Sequence, residues 1–184
     1  MTKTKKLTTC AILIALSTVL MLLSKLIPSM PWGGSVTLAS MVPMIVLSLM
    51  LGLRWGLLSG IVFGVIQMLT GFYPPPTQTI LDFFLVVMLD YLLAFGVLGT
   101  ACVCYRVFGK KVWAIPLSGA VVTALRYLCH ILSGILIWGV YAEEGQSTLA
   151  YSVLYNGSYM IPEIILTTVV LALLAKFIKQ KSRD

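Results

Sequence analysis

Long apolar stretches, interrupted only by proline, glycine or isolated charges, run through nearly the whole chain. They predict six helices, over about 7–27, 36–51, 55–71, 80–106, 112–140 and 151–178. A helix needs about 20 apolar residues to cross hydrocarbon. The 184 residues therefore accommodate these crossings with short connections and no separate soluble catalytic domain. The expected fold class is an all-α integral membrane protein with six transmembrane helices, residues 1–184 forming one transmembrane domain. Composition agrees: 59% of residues are apolar and 10% charged, with a mean hydropathy of +1.01. Soluble proteins carry about a quarter charged residues.

A net charge of +7 raises the question of nucleic acid, and the placement of the cations answers against it. With the amino end inside, the cytoplasmic segments hold Lys3, Lys5, Lys6, Arg54, Arg106, Lys110, Lys111, Lys176, Lys179, Lys181 and Arg183, or 11 of the 13 cations. The outer loops hold Glu143 and Glu144 and neither Lys nor Arg. This positive-inside pattern makes both termini cytoplasmic and the lipid bilayer the chain's solvent. Of the two remaining cations, Lys25 stands near the outer end of the first helix, where it can snorkel to the interface. Arg126 lies mid-helix and cannot. The basic start followed by an apolar run mimics a secretory signal, but the run is long and no small-x-small cleavage site follows, so a retained helix is expected.

Punctuation marks loops and packing faces. The first outer connection, Pro28-Ser-Met-Pro-Trp-Gly-Gly-Ser35, is stiffened by two prolines and carries Trp32, which fits either a lid over a site or an anchor in the interfacial aromatic belt. Pro74, Pro75 and Pro76 make a second stiff outer connection. Gly56, Gly60 and Gly64 form a small-residue row on the third helix, read as internal packing. Ala11 and Ala15 form a shorter row on the first helix, which suits internal packing or a partner-docking face equally. Cys10, Cys102, Cys104 and Cys129 fall in apolar helices at spacings that imply neither a disulfide nor a metal site.

Polar side chains within hydrocarbon need a reason, since an ionised one costs at least about 2.5–3.5 kcal/mol there. Asp90 and Tyr91 fall in the fourth helix; Arg126, Tyr127 and His130 in the fifth; Asn156, Tyr159 and Glu163 in the sixth. Counted from the cytoplasmic ends, Asp90, Arg126 and Glu163 each stand roughly 21–24 Å up, at one level in the outer half of the bilayer. Arg126, His130, Gly134 and Trp138 recur every four residues on one side of the fifth helix, while Asn156, Tyr159 and Glu163 share a face of the sixth. One positive charge against two negative ones, beside Tyr91, Tyr127, Trp138 and Tyr151, suits a cationic ligand held in part by aromatic faces. The competing expectation is that these groups only bind helices together, Arg126 pairing with Glu163 and Asn156 with a neighbouring backbone.

Enzymatic chemistry has no foothold. A single histidine excludes a His-Glu-x-x-His zinc site, and neither a Gly-x-Ser-x-Gly elbow nor a Gly-x-x-x-x-Gly-Lys-Ser/Thr phosphate loop occurs. Were such a chain to serve ATP-driven transport, it would need partner subunits.

The outer segment Ser29-Met-Pro-Trp-Gly-Gly-Ser-Val, Leu89-Asp-Tyr91, Arg126-Tyr-Leu-Cys-His-Ile-Leu-Ser-Gly134 with Trp138, and Tyr151-Ser-Val-Leu-Tyr-Asn-Gly157 together resemble the thiamine-specific substrate-binding (S) subunits of energy-coupling factor transporters. The resemblance runs from about residue 7 to 178. It implies a single transmembrane substrate-binding domain in a prokaryotic cell membrane, with no enzymatic activity and no cofactor. Thiamine would be captured from outside between the fourth, fifth and sixth helices, and the subunit would dock on a transmembrane coupling subunit carrying two ATPases. The ligand shell so implied is Trp32, Asp90, Tyr91, Arg126, His130, Gly134, Trp138, Tyr151 and Asn156. Trp138 and His130 would sandwich the thiazolium, and Asp90, Tyr151 and Asn156 would meet the aminopyrimidine edge. Ala11 and Ala15 map to the docking row. Asp90, Arg126 and Phe63 stand where some relatives have Glu, Lys and Trp. A precursor-specific S subunit and a non-transport membrane scaffold are the alternatives.

Overall fold

The structure is a computed structural model that describes residues 1–26 and 34–181, the side chain of Lys181 excepted. The described residues form six main helices: α1 (Lys3–Ser24), α2 (Val42–Leu51), α3 (Leu53–Thr70), α4 (Ile80–Val107), α5 (Ala114–Leu136) and α6 (Thr148–Lys181). All except α2 are long and apolar enough to cross a membrane. Leu7, Ile12, Leu16 and Val19 of α1, like Leu125, Leu128 and Leu132 of α5, are exposed. In water these faces would be a liability; against acyl chains they are the natural surface.

Helix α2 begins six residues later than the sequence pattern suggests, at Val42 rather than 36. The preceding backbone is drawn away from helical pairing by side chains of other helices. Glu163 takes the Thr37 N–H at 2.7 Å, and Ser24 Oγ takes the Leu38 N–H at 2.7 Å. Ala39 then adopts a positive φ of 56°, which breaks any helix running into it. Helix starts only where Pro43, which lacks an N–H, fits the first turn. Irregular backbone at membrane depth is tolerated when protein satisfies it, and Ser40 and Met41 are buried accordingly.

Helices α3 and α4 meet along the predicted glycine row. A Cβ on Gly56 would stand 2.7 Å from the Gly99 carbonyl oxygen, one on Gly64 would stand 2.6 Å from that of Tyr91, and one on Gly60 would strike the Phe95 carbonyl. Backbone thus lies on backbone, the arrangement small residues permit in lipid. Helix α4 is itself irregular. It widens to a π-helical turn at Val87–Leu92 and tightens to a 3-10 turn at Val97–Thr100. Ser48 of α2 spans the tightened turn, donating to the Gly99 carbonyl at 2.5 Å and accepting the Cys102 N–H at 3.1 Å.

The apolar core, with Met44, Ile45, Leu47, Leu98, Ile115 and Leu171 fully buried, occupies the half of the bundle toward the α2–α3 connection. The polar residues gather toward the opposite ends of the helices.

Candidate functional site

A cavity of about 860 Å³ opens among Ser24 of α1, Gly71 after α3, Asp90 and Tyr91 of α4, His130 and Gly134 of α5, and Tyr151, Tyr155 and Tyr159 of α6. Asp90 lies within the π-helical turn. Such turns insert one extra residue and re-aim side chains, and they recur at functional sites. Here the carboxylate reaches across to α5. Its Oδ1 lies 3.0 Å from His130 Nδ1, and its Oδ2 accepts from Ser133 Oγ at 2.6 Å and from Trp138 Nε1 at 3.3 Å. With 18% of its side chain exposed, Asp90 still faces the cavity.

Trp138 arrives by a route the four-residue stripe does not describe. Helix α5 ends at Leu136, short of the expected 140, and Ile137 (φ −122°) leads into a 3-10 turn over Trp138–Tyr141. The turn is compact because Gly139 packs closely on Thr148. It sets the indole beside Asp90 and stacks it on Tyr141, with centroids 6.3 Å apart.

The α6 wall is a tyrosine ladder. Tyr151 and Tyr155 stack at 5.7 Å, Tyr155 meets Tyr159 edge-on at 6.2 Å, and Tyr159 meets the His130 ring at 6.2 Å. Asn156 is buried beside it, tied across to α5 by one bond and braced within α6 by the others. Its amide donates to His130 O at 3.2 Å and Ser152 O at 2.9 Å, and its carbonyl oxygen accepts from Tyr159 OH. Gly134 gives Ser152 and Asn156 their room, since any Cβ there would strike the Ser152 hydroxyl.

Arg126 closes the floor. Its guanidinium sits 4.3 Å from the Phe95 ring centroid and reaches Met41 Sδ at 2.8 Å. The pairing with Glu163 that the competing, purely structural expectation calls for does not form: Thr37 holds both carboxylate oxygens of Glu163. Glu163 also lies outside the cavity wall, whereas Lys25 joins it. Lys25 is exposed and donates from Nζ to the Thr70 carbonyl at 2.8 Å, at the last residue of α3. The simple charge count from the sequence is therefore replaced by a local one: Asp90 is the acid beside the aromatics, with Arg126 below and Lys25 at the rim.

Residues 7–183 match the model of the family described as thiamine transporter protein (Thia_YuaJ). The chain belongs to the thiamine transporter family. Among curated relatives, the thiamine transporter ThiT of Bacillus subtilis (strain 168) is 32% identical over 175 residues, covering 89% of this chain and 86% of that protein. The ThiT of Lacticaseibacillus paracasei is 26% identical over 148 residues, covering 73% and 70% respectively. The solved structure of ThiT from Listeria monocytogenes shares the fold, with a TM-score of 0.75 over 98% of both chains at 21% identity. The chain is thus a multi-pass prokaryotic membrane protein of a transport family rather than an enzyme.

Of the residues that resemblance to this family singles out, Asp90, Tyr91, Arg126, His130, Gly134, Trp138, Tyr151 and Asn156 all line the one cavity. Trp32 lies outside the described residues. Phe63 is fully buried, packed edge-on against Phe95 at 5.2 Å, and does not reach the cavity. The Tyr91 hydroxyl is tied to the α3–α4 connection, accepting from Tyr73 N at 3.0 Å and donating to Gly71 O at 3.2 Å. Sequence reasoning missed Ser133, Tyr141 and Tyr155. Ser133 sits one turn after His130 in the quoted motif, and Tyr155 is one turn from both Tyr151 and Tyr159, so helical spacing held a signal for each. Ala11 and Ala15 are exposed on the outer face of α1.

Proposed function

We propose that this chain is the substrate-binding subunit of an energy-coupling factor transporter, capturing thiamine from outside in the α4–α5–α6 cavity. The observation that carries the reading is the Asp90 carboxylate, fixed by His130, Ser133 and Trp138 on one side of a cavity whose other side is a tyrosine ladder. A flat cation fits that pairing. The thiazolium would lie by Trp138 and His130, where an aromatic face contributes about 0.5–2 kcal/mol to a desolvated cation, and Asp90 supplies the countercharge. Tyr151 would meet the aminopyrimidine edge, and Asn156 would act mainly by holding His130 and Tyr159 in place. Arg126 would close the floor, and Trp32, in the first outer loop, would complete the shell from above.

Transport would require a coupling subunit and two ATPases, because the chain carries no phosphate-binding loop. The exposed Ala11 and Ala15 suit a close helix–helix contact with that coupling subunit, since such contacts in lipid depend on van der Waals fit.

Purified protein in detergent should bind thiamine saturably with quenching of Trp fluorescence, and should prefer flat cations such as pyrithiamine to neutral pyrimidines. No saturable binding would leave a scaffold role, and preference for a neutral pyrimidine would point to a precursor. Ala11→Trp and Ala15→Trp should bind thiamine normally yet abolish ATP-dependent uptake in cells. Uptake that survives both would remove α1 as the docking face.

A further inference from the structure

We infer that Glu163 is a positioning residue for the captured ligand, holding the non-helical segment 34–41 in place as one wall of the cavity. The inference rests on the capture reading and extends it to a residue that does not itself line the cavity. Glu163 is 2% exposed, on a membrane-spanning helix, where a carboxylate without partners would be strongly disfavoured. Both of its oxygens are engaged by one residue. The Thr37 N–H donates to Oε2 at 2.7 Å, and the Thr37 hydroxyl donates to Oε1. The same hydroxyl oxygen accepts from Ser40 Oγ at 2.8 Å and Ser40 N at 3.3 Å, so its hydrogen-bonding capacity is full and its orientation fixed.

What Glu163 fixes is part of the site. Gly34, Ser35 and Thr37 line the cavity. Gly34, at φ +73°, lies flat against the Tyr159 ring, where a side chain would collide with Tyr159 Cε1 at 2.8 Å. Further along, Met41 meets Arg126 on the cavity floor. The wall therefore has an anchor at Thr37, between a contact to the aromatic ladder and a contact to the floor. Thr37 N–H and O–H form a two-pronged donor, which a carboxylate matches with two acceptors and a carboxamide with one. That match accounts for an acid at this depth without assigning it to the ligand or to Arg126.

The test uses the full chain in detergent with thiamine as probe, following Trp fluorescence by stopped flow. Glu163→Gln and Thr37→Val should each speed thiamine dissociation by about 10-fold or more, the loss of one charge-assisted hydrogen bond, while association changes far less. The double variant should be no worse than the worse single, because both act through one linkage. Thr37→Ser, which keeps the hydroxyl, should restore wild-type dissociation. Should Glu163→Gln fail to fold, the Thr37→Val and Thr37→Ser pair carries the test, since valine is isosteric with threonine. Unchanged dissociation in both single variants beside normal wild-type binding, fully additive losses, or a Thr37→Ser protein as fast as Thr37→Val would each overturn the inference alone. Absence of wild-type binding would overturn the capture reading and this inference with it.

Discussion

Two helix seams in this bundle are built on opposite plans. Between α3 and α4, Gly56, Gly60 and Gly64 let backbone approach backbone, and the side chains that meet there, such as Phe63 and Phe95, are apolar. Between α5 and α6 polar side chains cross the contact: Asn156 donates to the His130 carbonyl, Ser152 to the Ile131 carbonyl and Tyr127 to the Val153 carbonyl. Lipid explains the division. Apolar side chains gain little by leaving acyl chains for a protein interior, so a seam holds by close fit or by hydrogen bonds. The glycine seam needs no chemistry and supplies a rigid back to the cavity. The polar seam supplies chemistry, and hydrogen bonds from side chains to the facing backbone tie its two helices together.

The comparison predicts that the largest single effect on folding comes from the seam with no functional groups. Gly60→Leu would drive a branched side chain into the Phe95 carbonyl, backbone that cannot step aside. Overpacking of this kind should cost about 3 kcal/mol or more, read as loss of monodisperse protein after detergent extraction and a lowered unfolding temperature. A stable Gly60→Leu protein would mean that α3 and α4 slide past one another readily, and the rigid back would be lost as an explanation.

On the polar side, the largest effect should fall on affinity and spare the fold. Asp90→Asn keeps the shape and an acceptor for Ser133 but removes the countercharge. Thiamine binding should weaken by about 2–4 kcal/mol, or roughly 30- to 1,000-fold, measured by fluorescence titration at fixed salt. Affinity within a factor of two of wild type would remove Asp90 from the ligand shell and leave it as a brace for His130 and Trp138.

The contrast between the seams also marks what a sequence can disclose. The six apolar runs were legible because hydrocarbon leaves the backbone few alternatives to helix, and the glycine row because only small residues at four-residue spacing allow such an approach. The cavity members were legible as polar residues where polarity is costly. The start of α2 was not, since Val36, Leu38 and Met41 read as helix while the competing bonds come from Ser24 and from Glu163, 126 residues distant. The π-helical turn beneath Asp90 leaves no compositional mark at all. The partner of Glu163 was not legible either: charge counting weighs ions, whereas here a threonine offers the carboxylate two donors and the guanidinium is occupied with Phe95 and Met41.

Trp138→Ala should have an intermediate effect, because the indole makes one long bond to Asp90 and otherwise offers a face. Lost stacking and cation–π contact should weaken thiamine binding by about 1–3 kcal/mol, with little change in the unfolding temperature of the unliganded protein. Unchanged affinity would assign Trp138 to the interfacial belt, and the stack with Tyr141 would then be its main contact.

The smallest effect should come from Tyr91→Phe, and it separates the two plans most finely. Tyr91 belongs to both regions: its carbonyl faces Gly64 in the glycine seam, while its ring lines the cavity and stacks on Phe72 at 5.7 Å. Its hydroxyl, however, is bonded to backbone at the cavity rim, held between Tyr73 N and Gly71 O in the α3–α4 connection. Removing that oxygen should therefore cost about 0.5–1.5 kcal/mol of stability, seen as a small drop in unfolding temperature. Thiamine affinity should stay near the wild-type value, since the ring and the carbonyl remain. If affinity fell instead by tenfold or more with stability intact, the hydroxyl would have to leave the connection and turn to the ligand on binding, and the boundary between scaffold and site would run through this side chain.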